Sequence, residues 1–355
     1  MSLTRRTLLA GLAATPLSAT AQGFAGLGTE ADGFALPSRS TTLIFPADHG
    51  PHPDFRIEWW YLTATLAGPD DTPYGIQWTL FRSALAPGDR EGWSSPQVWM
   101  AHAALTTPEG HHSTERLARG GTGQAGVTAA PFAAWIDDWS MTATGSGQAD
   151  ELSALSLIAS APDFAYDLQL TATGPLVLHG DKGYSVKSPT GQASHYYSQP
   201  FYEVSGQLIL PGGETPVTGN AWLDREWSSQ PLAENQDGWD WVSLSFSTGA
   251  RLMGFALRST DGSAFTSATW IDPDGTATSY GNGALTLTPL NGSTPPTRWR
   301  VTLPDKGVDV EIDALRNDAW MDVSFEYWEG PVTITGSHTG RGYLEMTGYD
   351  RPSGP

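Results

Sequence analysis

Period-two alternation of apolar and polar residues dominates the chain and predicts strands. Residues 56–66 (R-I-E-W-W-Y-L-T-A-T-L) combine aromatic and β-branched residues in that pattern. Gly68-Pro69-Asp70-Asp71 then supplies a turn, and 75–83 (G-I-Q-W-T-L-F-R-S) the next strand. The same reading predicts strands over 98–106, 152–159, 166–172 and 201–210. No amphipathic helix longer than about three turns is expected beyond the N-terminal leader.

The pattern repeats. Glu58-Trp59-Trp60-Tyr61-Leu62 lies over Gly238-Trp239-Asp240-Trp241-Val242, and Leu80-Phe81-Arg82-Ser83 over Ala256-Leu257-Arg258-Ser259. Pro108-Glu109-Gly110 matches Pro273-Asp274-Gly275. Gly219-Asn220-Ala221-Trp222-Leu223-Asp224 matches Gly340-Arg341-Gly342-Tyr343-Leu344-Glu345. Four matches in one order predict two all-β domains from a duplicated unit, 41–214 and 215–351. Each is large enough to bury a core and to close as a barrel or sandwich.

The first 21 residues read as an address. Arg5-Arg6, an apolar run from Leu8 and Ala19-Thr20-Ala21 make a twin-arginine export signal. A flexible leader is expected over 22–40 and a periplasmic or secreted mature protein. No stretch reaches the roughly 18 apolar residues of a membrane span.

Composition narrows the function. Nineteen basic against 38 acidic residues give a net charge of −19. That argues against nucleic acid and anionic membranes as partners. Absence of cysteine excludes thiolate metal sites and a Cys nucleophile. No metal-binding spacing, phosphate loop or serine-hydrolase elbow occurs, so neither metal nor cofactor is expected. His111-His112 reads as a solvated turn.

Acids among aromatics remain. Alternation puts Trp222, Asp224 and Glu226 on one strand face. A carboxyl beside indole rings is desolvated, which raises its pKa and keeps it protonated as an acid near neutrality. The competing reading of Asp224 and Glu226 is an ion pair with Arg225 or another arginine. Glu58 and Asp240 also share faces with apolar residues, as pocket groups or as buried salt bridges for which Arg56, Arg82, Arg225 and Arg258 are the candidate partners. His102 reads as a core histidine or a pocket proton carrier. Tyr61, Tyr197, Trp239 and Trp241 supply ring walls or core mass.

Phe55-Arg56-Ile57-Glu58-Trp59-Trp60-Tyr61-Leu62 and Trp222-Leu223-Asp224-Arg225-Glu226-Trp227 resemble the AttH/carotenoid 1,2-hydratase family of lipocalin-like proteins. Gly238-Trp239-Asp240-Trp241 and the segment Gly340 to Tyr349 support the resemblance. It implies two lipocalin-like β-barrels. In the hydratase branch it implies addition of water across an isoprenoid double bond without a cofactor, and in some bacterial members a transporter-system partner. The family's Tyr-x-Asp acid site falls on Trp222-x-Asp224, with Asp retained and Tyr replaced. The resulting expectation is an apolar, unsaturated small-molecule ligand, with Asp224 and Glu226 catalytic in a hydro-lyase or an isomerase/cyclase. Trp222, Tyr61, His102, Tyr197, Trp239, Trp241, Glu58 and Asp240 are the expected ligand-binding residues. A non-catalytic periplasmic carrier and a carbohydrate-active β protein are the alternatives.

Overall fold

The computed structural model describes residues 31–145 and 150–351. The export signal and the first part of the leader, residues 22–30, lie outside these residues. Among the described residues there is no α-helix, only short 3₁₀ turns, and no helix long and apolar enough to cross a membrane.

Two antiparallel sheets carry the chain. The first holds β1 (Ile57–Ala67), β2 (Pro73–Ala84), β3 (Gln97–Thr106), β4 (His111–Arg119), β5 (Ala125–Ala129), β6 (Phe132–Ile136) and β7 (Trp139–Ala143). It continues with β8 (Ala154–Ser160), β9 (Ala165–Ala172), β10 (Val177–Leu178), β11 (Tyr184–Val186), β12 (Ala193–Leu210) and β13 (Gly213–Ser228). Its order is β4-β3-β2-β1-β13-β12-β9-β8-β7-β6-β5, with β10 and β11 paired to β12. The sheet curls so that β6 meets β2, β3 and β4. The second holds β14 (Gln236–Phe246), β15 (Arg251–Ser259), β16 (Ala264–Ile271), β17 (Ala277–Tyr280) and β18 (Thr286–Pro289). It ends with β19 (Arg298–Leu303), β20 (Val308–Ala314), β21 (Trp320–Met321), β22 (Tyr327–Gly336) and β23 (Gly340–Met346). Its order is β17-β16-β15-β14-β23-β22-β20-β19-β18.

The order β4-β3-β2-β1-β13-β12 recurs as β17-β16-β15-β14-β23-β22. Two lipocalin-like barrels related by an internal repeat result, and the matched motifs occupy equivalent strands. The division falls between Ser228 and Gln236 rather than at 214/215. The reason is that β13 completes the first sheet by pairing with β1, from Ile57↔Ser228 to Ala67↔Thr218. The leader also ends earlier than expected: the Ala35 amide bonds the Asp54 carbonyl, and Ser229 Oγ donates to the Ala35 carbonyl. Fixing these backbone groups ties residues from 35 onward to the first barrel. His111 starts β4, and its Nδ1 is 2.9 Å from the Thr106 hydroxyl, so it belongs to the sheet and not to a solvated turn.

Each barrel is filled. Trp60, Leu62, Leu66, Trp78 and Trp139 pack inside the first, and Val242, Leu244, Leu252, Trp328 and Leu344 inside the second. A third apolar cluster joins the two. It contains Tyr61, Tyr196, Trp222, Trp241, Phe255 and Tyr343, all from outer faces of the sheets. The strands nearest the repeat axis therefore bury both faces, one in a barrel and one between barrels.

Candidate functional site

A cavity of about 220 Å³ opens between the barrels. Its walls come from both: Ile57, Trp59 and Tyr61 of β1 with Asp224 and Glu226 of β13, and Trp239 and Trp241 of β14 with Phe255, Leu257 and Glu345. Strand register explains the grouping. Tyr61 is opposite Asp224 and Trp59 opposite Glu226, so their side chains leave the sheet on one face. In the second barrel Trp241 pairs with both Glu345 and Phe255.

Asp224 is 2% exposed and has no basic partner among the described residues. Tyr196 donates its hydroxyl to Oδ2 at 2.7 Å and Trp222 Nε1–H donates to Oδ1 at 2.6 Å. Ser198 Oγ donates to Oδ1 as well. Behind Ser198, His179 Nε2 stands 2.6 Å from that hydroxyl and Nδ1 2.9 Å from Thr269 Oγ1. Burial pulls His179 down to about 3, so its ring is neutral. Burial pushes the Asp224 carboxyl up to about 7, the three donors oppose it, and the nearby Glu226 charge adds to the rise. Glu226 itself is paired: Lys187 Nζ lies 2.7 Å from its Oε1, and Ser194 donates to the same oxygen. The Lys187 ammonium also sits over the Tyr196 and Phe255 rings, at 4.8 and 4.3 Å from their centroids.

Glu345 is the carboxyl of the opposite wall. Trp239 Nε1–H donates to its Oε1 at 2.7 Å, and burial pushes it up to about 7. Beside it on β22, Glu329 accepts the Tyr61 hydroxyl at 2.9 Å. Burial, with the Glu345 charge, holds the Glu329 carboxyl well above the usual range.

Several expected ligand residues stand elsewhere. Glu58 points into the first barrel, bonded to Arg82, to Arg225 at 3.1 Å and to His52 at 3.0 Å. The two guanidinium groups and the His52 hydrogen bond overcome its burial and hold it below the usual carboxylate range. Asp240 points into the second barrel and pairs with Arg258 and the Tyr349 hydroxyl. Tyr197 also faces the first interior, 2.7 Å from His49 Nδ1; its neighbour Tyr196 faces the cavity. His102 bonds Tyr327 at 2.9 Å and sits behind Phe81 and Phe325, one layer from the cavity. Trp222 holds Asp224 and packs between the barrels without lining the cavity. Tyr61, Trp239, Trp241, Asp224 and Glu226 do line it.

Lys187, Phe255, Tyr327 and Glu345 were not singled out from sequence as cavity residues. Of these four, Glu345 alone had a signal, since the repeat match lays it over Asp224. Among the described residues no cluster of three or more His, Asp or Glu side chains is spaced to hold a metal ion.

The AttH-like family model matches residues 36–349. The chain belongs to the AttH-like family. The crystal structure of a provisionally named AttH from Nitrosomonas europaea is similar at 35% identity and a TM-score of 0.79. The match covers 90% of this chain and all of that one. Kievitone hydratase from Nectria haematococca shares the fold at 16% identity and a TM-score of 0.64, covering 89% of this chain and 98% of the hydratase. No curated protein matches the chain. This AttH-like chain thus has a lipocalin-like, hydratase-type fold, with Asp224, Glu226 and Glu345 on the faces where the barrels meet.

Proposed function

We propose that the cavity between the barrels binds an apolar, unsaturated small molecule, and that Asp224 protonates its C=C bond. The observation that carries this reading is a fully buried aspartate with no counter-ion among the described residues, pushed up to about 7, on the wall of a ring-lined cavity. A carboxyl near 7 gives up a proton at neutral pH and is kept protonated by burial until it does. Protonating a substituted alkene creates a tertiary carbocation. Trp59, Tyr61, Trp239 and Trp241 present rings that favour positive charge by up to about 2 kcal/mol when desolvated. Water capture gives an alcohol, and loss of a neighbouring proton gives an isomer. Neither outcome calls for a cofactor. The hydratase neighbour has the same fold, which supports the reading at the level of architecture. Action outside the cytoplasm, after twin-arginine export, belongs to the proposal and rests on Arg5, Arg6 and the 19–21 segment.

The test uses acyclic C10–C20 isoprenoid alkenes in ¹⁸O-labelled water. Wild-type protein is expected to yield labelled tertiary alcohol. Asp224→Asn should still bind, read by tryptophan fluorescence, and lose turnover by on the order of 10²–10⁴-fold. Full turnover in a folded Asp224→Asn protein defeats the assignment. Binding without turnover by the wild type makes the protein a carrier.

A further inference from the structure

The duplicated strands set two carboxyls, not one, against the cavity. Asp224 stands opposite Tyr61 and Ser198 in the first sheet; Glu345 stands opposite Trp241 and Glu329 in the second. Strand equivalence makes these the same place in the two repeats. Each acid is held by an indole N–H, from Trp222 or Trp239. Neither forms an ion pair among the described residues, because the one ammonium on the cavity wall, Lys187, is taken up by Glu226.

Hydration of an alkene needs two proton transfers. One proton goes to carbon as the π bond breaks, and one must leave the water oxygen as the C–O bond forms. A single protonated carboxyl supplies only the first directly. Building on the hydration reading above, we propose that Glu345 is the second catalytic carboxyl, accepting the proton of the incoming water while Asp224 donates to carbon. The sum is addition of one H₂O. The proton gained by Glu345 and lost by Asp224 is then evened out through solvent, which returns both groups to their starting states.

The groups around Glu345 suit it to accept. Glu329 on β22, Tyr61 on β1, Glu226 on β13 and Tyr327 are its titratable neighbours. Two adjacent buried carboxyls do not both ionise, and Glu329 is the one held more strongly in its neutral form. Glu345 is therefore the member of that pair that ionises. Tyr61 reaches across from the first barrel to the pair, its hydroxyl on Glu329. The base and the acid are thus linked through one cross-strand neighbour, since Tyr61 also pairs in register with Asp224.

The experiment compares wild type, Asp224→Asn and Glu345→Gln, each full length, on geraniol in deuterated, ¹⁸O-labelled water. Glu345→Gln is expected to lose labelled diol on the order of 10²-fold or more. It should still place deuterium in recovered or isomerised alkene, because protonation at carbon is intact. Asp224→Asn should lose both. Infrared pH titration without ligand provides the second readout: the protonated-carboxyl band that disappears near pH 7 is shared by Asp224 and Glu345, so Glu345→Gln should lose the Glu345 part of it and keep the Asp224 part. Wild-type rates of diol formation by Glu345→Gln, or titration of Glu345 in the ordinary range near 4.3, overturn the assignment. Wild-type protein that neither deuterates nor hydrates geraniol, with Glu345 titrating near 7, counts against the hydration reading and removes this role with it.

Discussion

Asp224 and Glu58 are both buried carboxyls, yet their surroundings act in opposite directions. Asp224 is ringed by neutral donors, and burial prevails; Glu58 lies between two guanidinium groups, and their charge prevails. Linkage turns this into a pH dependence of stability. Asp224 and Glu345 bind protons more tightly folded than unfolded. Their contribution is complete below about pH 4 and is lost as pH rises towards about 7. Glu58 works the other way: its contribution is present above about pH 4.3 and lost as pH falls. Between about pH 4 and 7 the two cavity acids should therefore make the protein less stable with rising pH. Replacing Asp224 by Asn should flatten that slope by at most about 1.4 kcal/mol per pH unit. Urea midpoints measured across this window check it; identical slopes in wild type and variant would show that Asp224 does not titrate there.

At the scale of the element, the repeat is written in its glycines as well as its acids. Gly219 on β13 and Gly340 on β23 occupy matched positions. A Cβ at Gly219 would fall on the Thr65 carbonyl, and one at Gly340 on the Ser245 carbonyl, each on the paired strand. Gly219→Ala should force the β1–β13 pair apart and cost about 1–3 kcal/mol. Gly212→Ala has nothing within 4 Å of its Cβ and should change stability by less than about 0.5 kcal/mol. Chemical denaturation of both variants tests this; equal effects would mean that the close approach at Gly219 is relieved without cost. Strand identity and the shared face of Trp222, Asp224 and Glu226 were readable from alternation alone. Which face lines the cavity was not. On β1 and β14 both faces are apolar, because one fills a barrel and the other the junction, so period two separates the faces without ranking them. Glu58, Asp240 and Tyr197 fell on the interior face for that reason. The boundary near 214 was misread because Gly212 and Gly213 mark a hairpin turn inside the first sheet, and a turn signal does not distinguish a hairpin from a domain junction.

Over the whole molecule, the cavity belongs to neither barrel. Its acids, rings and rim are divided between two repeats. The junction is closed by buried apolar residues and by polar bridges such as Tyr61–Glu329, His102–Tyr327 and His179–Thr269. Domains with small polar interfaces move and unfold separately, whereas a large apolar interface couples them. Here Tyr61, Tyr196, Trp222, Trp241, Phe255 and Tyr343 are at most 7% exposed, with each barrel covering the other's outer face. The two barrels are therefore expected to unfold in one transition. A ligand lodged between them should move that transition as a unit, by about 2.7 kcal/mol at a hundredfold excess over its dissociation constant. Because Trp59, Trp239 and Trp241 wall the cavity, tryptophan fluorescence should respond to the same ligand. Thermal unfolding followed by fluorescence and by calorimetry, with and without an isoprenoid, tests both statements. Two resolved transitions, or a ligand that shifts only one of them, would show that the barrels fold independently and that the cavity is not the place where they are coupled.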